Sequence, residues 1–359
     1  MKFSSFTLML TEECNFRCSY CYQKKDTNRL DIITLEKALD FFLPFLEEEC
    51  YISFYGGEPL LEFEKIKYTI QHLQKKDEYK KNRFQFSFTT NGSLIKKEII
   101  QFLEKYKFSI LLSFDGLAQE IHRQKGSFTH AVSVMNELVK HPDIEVETNS
   151  VFTPESVGYL SRSVRFIHEL GISNIHLAFS STNQWDVSSL LQLEKELKNM
   201  RIYLLSSYKK TGKMPVSLFR KKVSKGIFGC YAGKDRMALT PDGKLWGCYL
   251  FFDYFKQKED KREYGKYCYG GLDAFIENHE KIYPEILSNY KILGMNHFFT
   301  DDDFCMLCEE LEDCAVCPID AGFSGSILGK IPIWICQIRK LIRKEKNLFW
   351  EEIEAENKS

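Results

Sequence analysis

The sequence predicts an α/β protein, with a partial (β/α)6 TIM-like barrel followed by a small cysteine-rich domain. From residue 3 to about 180, short apolar, β-branched or aromatic runs alternate with amphipathic helical stretches. That alternation is typical of successive βα units around a parallel sheet. Further along the chain these signals weaken, and eight of the twelve cysteines lie between Cys230 and Cys336. The change in composition therefore predicts two domains of different kinds.

Six strands are expected in the first part, near residues 4–10, 51–55, 84–89, 108–114, 145–152 and 174–179. A helix between the first two, which we expect to end at Cys50, places on one face Leu35, Leu39, Phe42, Leu43 and Leu46. Six units are two fewer than a closed eight-stranded barrel has. We therefore expect a partly open sheet with a lateral mouth for a bulky substrate and a site at the C-terminal strand ends.

The domain boundary is expected in the segment Lys210–Pro215, because Gly and Pro there follow a long helical stretch from about 188 to 211. This gives a catalytic domain at residues 1–215 and a second domain at 216–359. Cysteine, glycine and aromatic residues dominate from Cys230 onward. We expect metal clusters, rather than a large apolar core, to hold the second domain together.

Charge and hydropathy exclude several classes of function. The 49 Lys and Arg nearly balance the 50 Asp and Glu, giving a net charge of -1. This balance offers no field that would attract a nucleic-acid backbone or an anionic membrane. The N-terminal segment is too short in its apolar part for a signal peptide, and no later stretch reaches the roughly 18 apolar residues of a membrane span. We expect a soluble cytoplasmic protein.

The cysteines are more simply metal ligands or catalytic groups than disulfides in a reducing compartment. Cys14, Cys18 and Cys21 follow the first strand directly, in a C-x3-C-x2-C pattern. Three thiolates can hold three irons of a cubane and leave the fourth iron free for an exogenous ligand. The alternative, a structural zinc site, would lack one ligand because such sites are closed with four.

The same segment resembles the signature of the radical S-adenosylmethionine superfamily, in which an aromatic residue precedes the third cysteine, here Tyr20. The resemblance implies that a reduced 4Fe-4S cluster donates an electron to the sulfonium of S-adenosylmethionine (SAM), releasing methionine and a 5'-deoxyadenosyl radical. The protein would hold a substrate C–H bond near that radical and exclude solvent. No catalytic residue is assigned beyond the cluster.

Further motifs of this family fall at the expected strand ends. The segment 55–59 matches the GGEP motif that binds the methionyl amino group, 90–92 resembles TNG, and 113–116 resembles the S-x-D-G ribose contact. Relatives often place an arginine toward the carboxylate or the ribose at the position of Arg123. Each motif alone also serves as an ordinary turn, so their order and spacing carry the prediction. The resemblance implies cofactor contacts from Tyr20, Gly56, Gly57, Glu58, Pro59, Asn91, Ser113, Asp115 and Arg123.

The later cysteines resemble the SPASM domain of radical enzymes that modify peptides and proteins. Eight thiolates suit two cubanes; two structural zinc sites are the alternative. The last spacing is x2 where the family has x3, and Cys268 is the candidate fourth ligand of the inner cluster. If Cys268 is not a ligand, that cluster keeps an open iron. The resemblance assigns Cys230, Cys248 and Cys317 to the inner cluster, and to the outer one Cys305, Cys308, Cys314 and Cys336.

Two functions on a polypeptide compete. The first is a maturase of a ribosomally made precursor peptide that forms a thioether or carbon–carbon crosslink. The second is an anaerobic sulfatase-maturating enzyme, which oxidises a Cys or Ser to formylglycine. That second family normally has an acidic residue directly after the cysteine of the G-x4-C segment, where this chain has Tyr249. We favour the peptide maturase because the acid–base group for a proton transfer is absent there.

The remaining expectations concern partners. The first strand begins by residue 4, so leader recognition is expected from a separate leader-binding protein or from the catalytic domain itself. The electron donor is expected to be of flavodoxin or ferredoxin type. A third reading, a non-catalytic iron–sulfur carrier, is opposed by GGEP beside a three-cysteine cluster, because a carrier needs no open iron.

Overall fold

One mixed sheet organises the molecule and confirms the predicted α/β fold class. The computed structural model describes residues 1–80, 83–221, 229–258, 261–296, 304–309, 311–314, 316–324 and 328–356. Within these, the strands are β1 (Phe3–Thr11), β2 (Leu46–Gly56), β3 (Arg83–Thr90), β4 (Ser109–Ser113), β5 (Glu145–Phe152), β6 (Ile175–Phe179), β7 (Arg236–Leu239), β8 (Lys244–Trp246) and β9 (Cys268–Gly271).

The strand order across the sheet is β6-β5-β4-β3-β2-β1-β7-β8-β9. The first six strands in sequence pair in parallel, as the βα alternation predicts. β7 adds to the free edge of β1, also in parallel, and β8 and β9 continue antiparallel. Among the described residues β6 and β9 do not pair, so the barrel stays open. The sheet crosses the expected boundary at residue 215, and the two-domain division remains a prediction.

The described helices connect and flank the strands. They are α1 (Ile32–Phe42), α2 (Phe63–Gln74), α3 (Lys97–Lys105), α4 (Gln119–His122), α5 (Ser127–Leu138), α6 (Leu160–Glu169), α7 (Val187–Thr211), α8 (Tyr249–Lys258), α9 (Lys261–Tyr267), α10 (Leu272–Asn296), α11 (Pro318–Ser324) and α12 (Ile333–Glu356). Of these, α11 and α12 reach the cavity side of the sheet. Among the described helices, none is long and apolar enough to cross a bilayer.

The first helix is shorter than the apolar spacing predicts. α1 ends at Phe42, and a short 3-10 turn containing Pro44 follows it. Proline cannot donate the backbone hydrogen bond that would continue the helix. Leu46 therefore begins β2, and Cys50 lies fully buried in that strand instead of ending a helix.

The expectation that the C-terminal part lacks a large apolar core is wrong. Trp246, Phe251 and Phe275 are at most 1% exposed and belong to the same hydrophobic core as Phe3 and Phe6 of β1. Because each buried aromatic ring removes about 150–250 Å² from water, a few of them build a core in a short segment. The weak helix and strand signals in the sequence did not reveal this core.

Candidate active site

The three N-terminal cysteines surround one cavity at the C-terminal ends of the parallel strands. The cavity has a volume of about 310 Å³, and Cys14, Cys18 and Cys21 are the cysteines among its described lining residues. Burial raises the pKa of the Cys14 thiol, and the charge of Lys25 opposes this shift. Three thiols with open space beside them fit a cluster that leaves one iron for a small ligand.

Two glycines hold the cysteine loop against β2. Gly56 has φ +141°, and a Cβ there would lie 2.2 Å from the carbonyl oxygen of Thr11. A Cβ on Gly57 would lie 2.1 Å from the carbonyl oxygen of Glu13. The Gly57 amide donates to the Thr11 carbonyl at 2.9 Å. Both glycines also line the cavity, but the close approach that they permit is to the backbone leading into Cys14.

Glu58 is 1% exposed and lies behind the cavity wall. Its carboxylate accepts from the Leu60 amide at 3.2 Å, from the Thr90 hydroxyl at 2.7 Å and from the Asn91 amide at 2.8 Å. Burial raises its pKa to about 7. Glu58 therefore fixes the turn after β3 to the turn after β2.

Asn91 extends this connection to the cysteine loop. Its side-chain amide donates to the side-chain oxygen of Asn15 at 2.8 Å, and the Asn15 amide donates to the Ser93 hydroxyl at 2.8 Å. Three segments that are distant in sequence are thus joined by hydrogen bonds around one edge of the cavity. The network fixes the position of the loop that carries Cys14.

A buried ion pair lies on the opposite side. Arg123 donates to Asp115 from Nε at 2.7 Å and from Nη2 at 3.0 Å, and the side chains are 5% and 0% exposed. The Tyr20 hydroxyl and the Val151 amide also donate to Asp115, each at 2.8 Å. Four donors therefore surround this carboxylate. The pair locks Tyr20 of the cysteine loop to the ends of β4 and β5.

The structure separates the residues expected to contact the cofactor into two groups. Glu58, Pro59 and Asp115 lie behind the wall. Their role as direct contacts of a cofactor remains a prediction, because in the structure they lie behind the residues that form the cavity wall. The residues on the cavity wall itself are Tyr20, Gly56, Gly57, Asn91, Ser113 and Arg123.

Sequence reasoning missed part of the wall. Asn149 of β5 and Ser180 after β6 line the cavity, and their strand-end positions were the available signal. Asp320 of α11 and Trp334 and Arg339 of α12 complete it from the C-terminal part of the chain. Nothing in the local sequence connects these three residues to the first cysteine loop.

His122, to which the sequence assigns no chemistry, has a structural position. Its Nδ1 lies 2.8 Å from the Ser19 hydroxyl, and its Nε2 lies 2.8 Å from the Thr153 hydroxyl. Burial lowers its pKa, which keeps the ring neutral. The ring thus tethers the cysteine loop to the segment after β5.

The C-terminal cysteines fall into two spatial groups. Burial raises the pKa of Cys317 to about 12, and the thiols of Cys248 and Cys230 contribute to that shift. Burial likewise raises the pKa of Cys314, and Cys336 and Cys305 contribute there. The inner and outer ligand sets that the SPASM resemblance implies remain predictions, and a thiolate state of these cysteines would need a bound cation to offset burial.

Cys268 has different surroundings. It lies in β9 opposite Trp246, its thiol accepts from the Gly270 amide at 3.4 Å, and it lies 3.7 Å from the Tyr264 hydroxyl. Burial raises its pKa, and the other groups that perturb it most are Gly270, Tyr264, Lys244 and Asp242. The thiol thus has hydrogen-bond partners of its own and no cysteine among its strongest neighbours.

A buried carboxyl group near the site was also missed. Asp253 follows Tyr249 by one turn of α8 and is 3% exposed. Gln23, which lines the cavity, donates to it at 3.3 Å. Burial raises its pKa to about 7. This chain thus has Tyr249 where sulfatase-maturating enzymes normally have an acid, and a buried carboxyl group one helical turn later.

Comparison with known proteins agrees with this geometry. The Radical SAM superfamily matches residues 8–167, which include the three cysteines, both glycines and the Asp115–Arg123 pair. The radical SAM cyclopropyl synthase TigE of Paramaledivibacter caminithermalis is 24% identical over 97% of this chain and 75% of TigE. A cysteine-type anaerobic sulfatase-maturating enzyme of Clostridium perfringens is 26% identical, but over 44% of this chain and 46% of the relative.

Two solved structures share the fold along most of the chain. The structure of anSMEcpe with bound AdoMet covers 99% of this chain and 95% of that one, with a TM-score of 0.77 and 19% identity. Streptococcus suis SuiB, solved with its precursor peptide SuiA, covers 92% of this chain and 75% of SuiB, with a TM-score of 0.57 and 16% identity. Residues 8–167 of this chain therefore match the Radical SAM superfamily, and the chain has the fold of anSMEcpe and SuiB.

Proposed function

We propose that this protein is a radical SAM peptide maturase that abstracts hydrogen from a residue of a ribosomally made precursor peptide. The observation that carries the proposal is the cavity in which Cys14, Cys18 and Cys21 face a wall built by the C-terminal part of the chain. A site closed by two parts of one chain can hold both a cofactor and a substrate segment. Similarity to TigE along nearly the whole chain supports the same class.

In this proposal the three N-terminal cysteines hold a 4Fe-4S cluster, and SAM occupies the cavity beside it. The bound pair supplies a 5'-deoxyadenosyl radical on one-electron reduction. The Asp115–Arg123 pair and the Glu58 hydrogen bonds keep the surrounding loops in place. Arg339 and Asp320 present charged groups to the substrate side, and Trp334 excludes water there.

The two C-terminal cysteine groups are proposed to hold one auxiliary iron–sulfur cluster each. The inner set is Cys230, Cys248 and Cys317, and the mutual perturbation of these thiols supports it. The contacts of Cys268 favour an inner cluster with an open iron over a fourth cysteine ligand. The outer set is Cys305, Cys308, Cys314 and Cys336.

A sulfatase-maturating activity is the second candidate, and one observation favours it. The buried carboxyl of Asp253 stands one turn after Tyr249, so the chain does not lack an acid near the inner cysteine set. Asp253 is reached from the cavity through Gln23. The peptide maturase remains preferred because Asp253 is not on the cavity wall among the described lining residues.

The partners follow from the same proposal. SuiB was solved with a precursor peptide, and anSMEcpe was solved with a peptide named Cp18Cys. A peptide substrate is therefore proposed here as well. The leader-binding protein, the flavodoxin- or ferredoxin-type donor and the cytoplasmic location remain predictions.

An anaerobic assay tests the proposal. Reconstituted protein is mixed with dithionite and SAM, and 5'-deoxyadenosine is measured together with iron and sulfide. We expect product formation and about twelve irons per chain, as three cubanes require. A variant with Ala at Cys14, Cys18 and Cys21 should make no product and keep the C-terminal iron. Zinc in the C-terminal cysteines, or no SAM cleavage by the loaded protein, would contradict the proposal.

A second assay separates the two candidate reactions. Small peptides encoded beside the gene and a Cys- or Ser-containing sulfatase peptide are each incubated with the active enzyme. A crosslink removes two hydrogens from the peptide and leaves no aldehyde, whereas formylglycine reacts with a hydrazide probe. Hydrazide capture of the sulfatase peptide alone would replace the peptide maturase with the second candidate.

A further inference from the structure

Three tyrosines lie between the two groups of cysteines. Tyr22 directly follows Cys21, and Tyr249 directly follows Cys248. Tyr55, near the end of β2, contacts both: its hydroxyl lies 2.9 Å from that of Tyr22, and its ring centroid lies 3.9 Å from that of Tyr249. The three side chains form a continuous contact whose two ends are bonded in sequence to a cysteine of each group, and we name it the tyrosine bridge.

The bridge also lies between two open spaces. Tyr22 and Tyr55 line the cavity that holds the N-terminal cysteines. Tyr55 and Tyr249 line a second cavity of about 310 Å³ inside the barrel, which Cys248 also lines. Tyr55 is therefore the aromatic residue common to both spaces. An aliphatic side chain at position 55 would interrupt the aromatic contact between the two cavities.

We propose that the tyrosine bridge is the path by which single electrons pass between the N-terminal iron–sulfur site and the inner auxiliary cluster. The inference rests on the proposed function, because it needs a cluster held by Cys230, Cys248 and Cys317. Contacting π systems couple an electron donor to an acceptor better than aliphatic side chains of the same volume do. The bridge supplies such contact between Tyr22, which follows Cys21, and Tyr249, which follows Cys248.

The transfer is a one-electron exchange without bond changes. One electron would tunnel through the bridge from the reduced inner cluster, which would be oxidised, to the oxidised N-terminal cluster, which would be reduced, and no tyrosine would itself gain or lose an electron. No bond forms or breaks along the bridge, and no proton moves.

A purely structural role would give the same contacts. Tyr22 packs on Phe323 with ring centroids 5.1 Å apart, and Tyr55 packs on Tyr249, the first residue of α8. In that case an aliphatic residue at position 55 would change stability or iron content, but not the rate of electron exchange between intact clusters. The two roles therefore differ in a kinetic quantity.

The experiment uses the reconstituted full-length enzyme and no peptide. Protein is reduced with dithionite, excess reductant is removed, and SAM is added in a freeze-quench apparatus. SAM cleavage consumes the electron of the N-terminal cluster. The auxiliary cluster then supplies the next electron, and the decay of the EPR signal of the reduced auxiliary cluster measures the rate of that transfer. Tyr55→Leu and Tyr249→Leu should slow that decay by more than about tenfold, or about 1.4 kcal/mol in activation free energy. Tyr55→Phe keeps the ring and should decay like the unmodified enzyme.

Tyr231→Leu provides the matched control. Tyr231 also directly follows a cysteine of the inner set, Cys230, but it is 48% exposed, and Arg236 lies over its ring. Iron content and circular dichroism verify that each variant is loaded and folded, and Tyr249→Leu replaces Tyr55→Leu if the latter does not fold. Equal decay rates in all loaded variants would overturn the bridge and leave the proposed function standing. Absence of SAM cleavage or of auxiliary iron in the unmodified enzyme would overturn both.

Discussion

Replacing Asp115 with Asn tests how much the buried ion pair stabilises the cavity. The Asp115 carboxylate receives four donors, two from Arg123, one from Tyr20 and one from Val151. An asparagine offers one acceptor oxygen, and its amide would face donors. The change also leaves the Arg123 cation, whose side chain is 5% exposed, without a counter-charge.

Removing one partner of a buried pair costs about 3–5 kcal/mol, because the remaining charge stays desolvated. We therefore expect Asp115→Asn to lower the free energy of unfolding by about that amount. Urea unfolding under anaerobic conditions, followed by far-UV circular dichroism, measures the change. Production of 5'-deoxyadenosine should fall in parallel, because Tyr20 of the cysteine loop loses the carboxylate to which its hydroxyl donates.

The matched control is Asp143→Asn. Asp143 pairs with Lys107 at 3.2 Å on the surface, where the two side chains are 54% and 74% exposed. Exposed pairs contribute about 0–1 kcal/mol. If Asp115→Asn cost no more than this control, the reasoning that the pair is buried and essential would be refuted. A double variant with Arg123→Gln should cost less than the sum of the single changes, because both charges are then removed.

Three further changes test other parts of the site. Gly57→Ala should displace the cysteine loop and lower N-terminal iron content and SAM cleavage, because its Cβ would lie 2.1 Å from a backbone oxygen. The control Gly265→Ala has open space around the new Cβ and should change neither quantity. Unchanged iron content in Gly57→Ala would contradict this prediction. Burial raises the pKa of Asp253 to about 7, above its ordinary 3.8. The folded state then keeps a proton that the unfolded chain releases, so stability falls as the pH rises across that window, by up to about 4 kcal/mol. Asp253→Asn should flatten this dependence in urea unfolding, and an unchanged slope would show that Asp253 ionises normally. Cys268→Ala should keep its full iron content while Cys248→Ala loses iron, and iron loss in the former would make Cys268 a ligand.

The strand-end motifs could be read from sequence because each is local. Cys14, Cys18 and Cys21 lie within eight residues, and their spacing fixes which thiols can share one metal site. The parallel strands then bring the motifs after β1, β2, β3 and β4 to one edge of the sheet. The same logic did not extend to Asp320 and Arg339, which reach the cavity through the packing of α11 and α12.

The roles of the motif residues were harder to read than their positions. Gly56 and Gly57, which the resemblance assigns to cofactor contacts, also admit the cysteine loop. Glu58, which the resemblance assigns to the same contacts, accepts from Leu60, Thr90 and Asn91, and its contact with a cofactor stays a prediction. A motif indicates which residue type a position requires, but the group that this residue contacts lies elsewhere in the chain.

By itself, the sequence determined the parallel βα order and the three-cysteine loop, because short spacings and alternating polarity act within a few residues. The tertiary structure alone decided that β7 joins β1 in one sheet, that aromatic residues give the C-terminal part a continuous core, and that Asp253 is buried beside the tyrosine bridge. These features depend on contacts between residues more than 200 positions apart, such as Gln23 with Asp253. Burial and charge are properties of the assembled surroundings, so no local pattern could encode them.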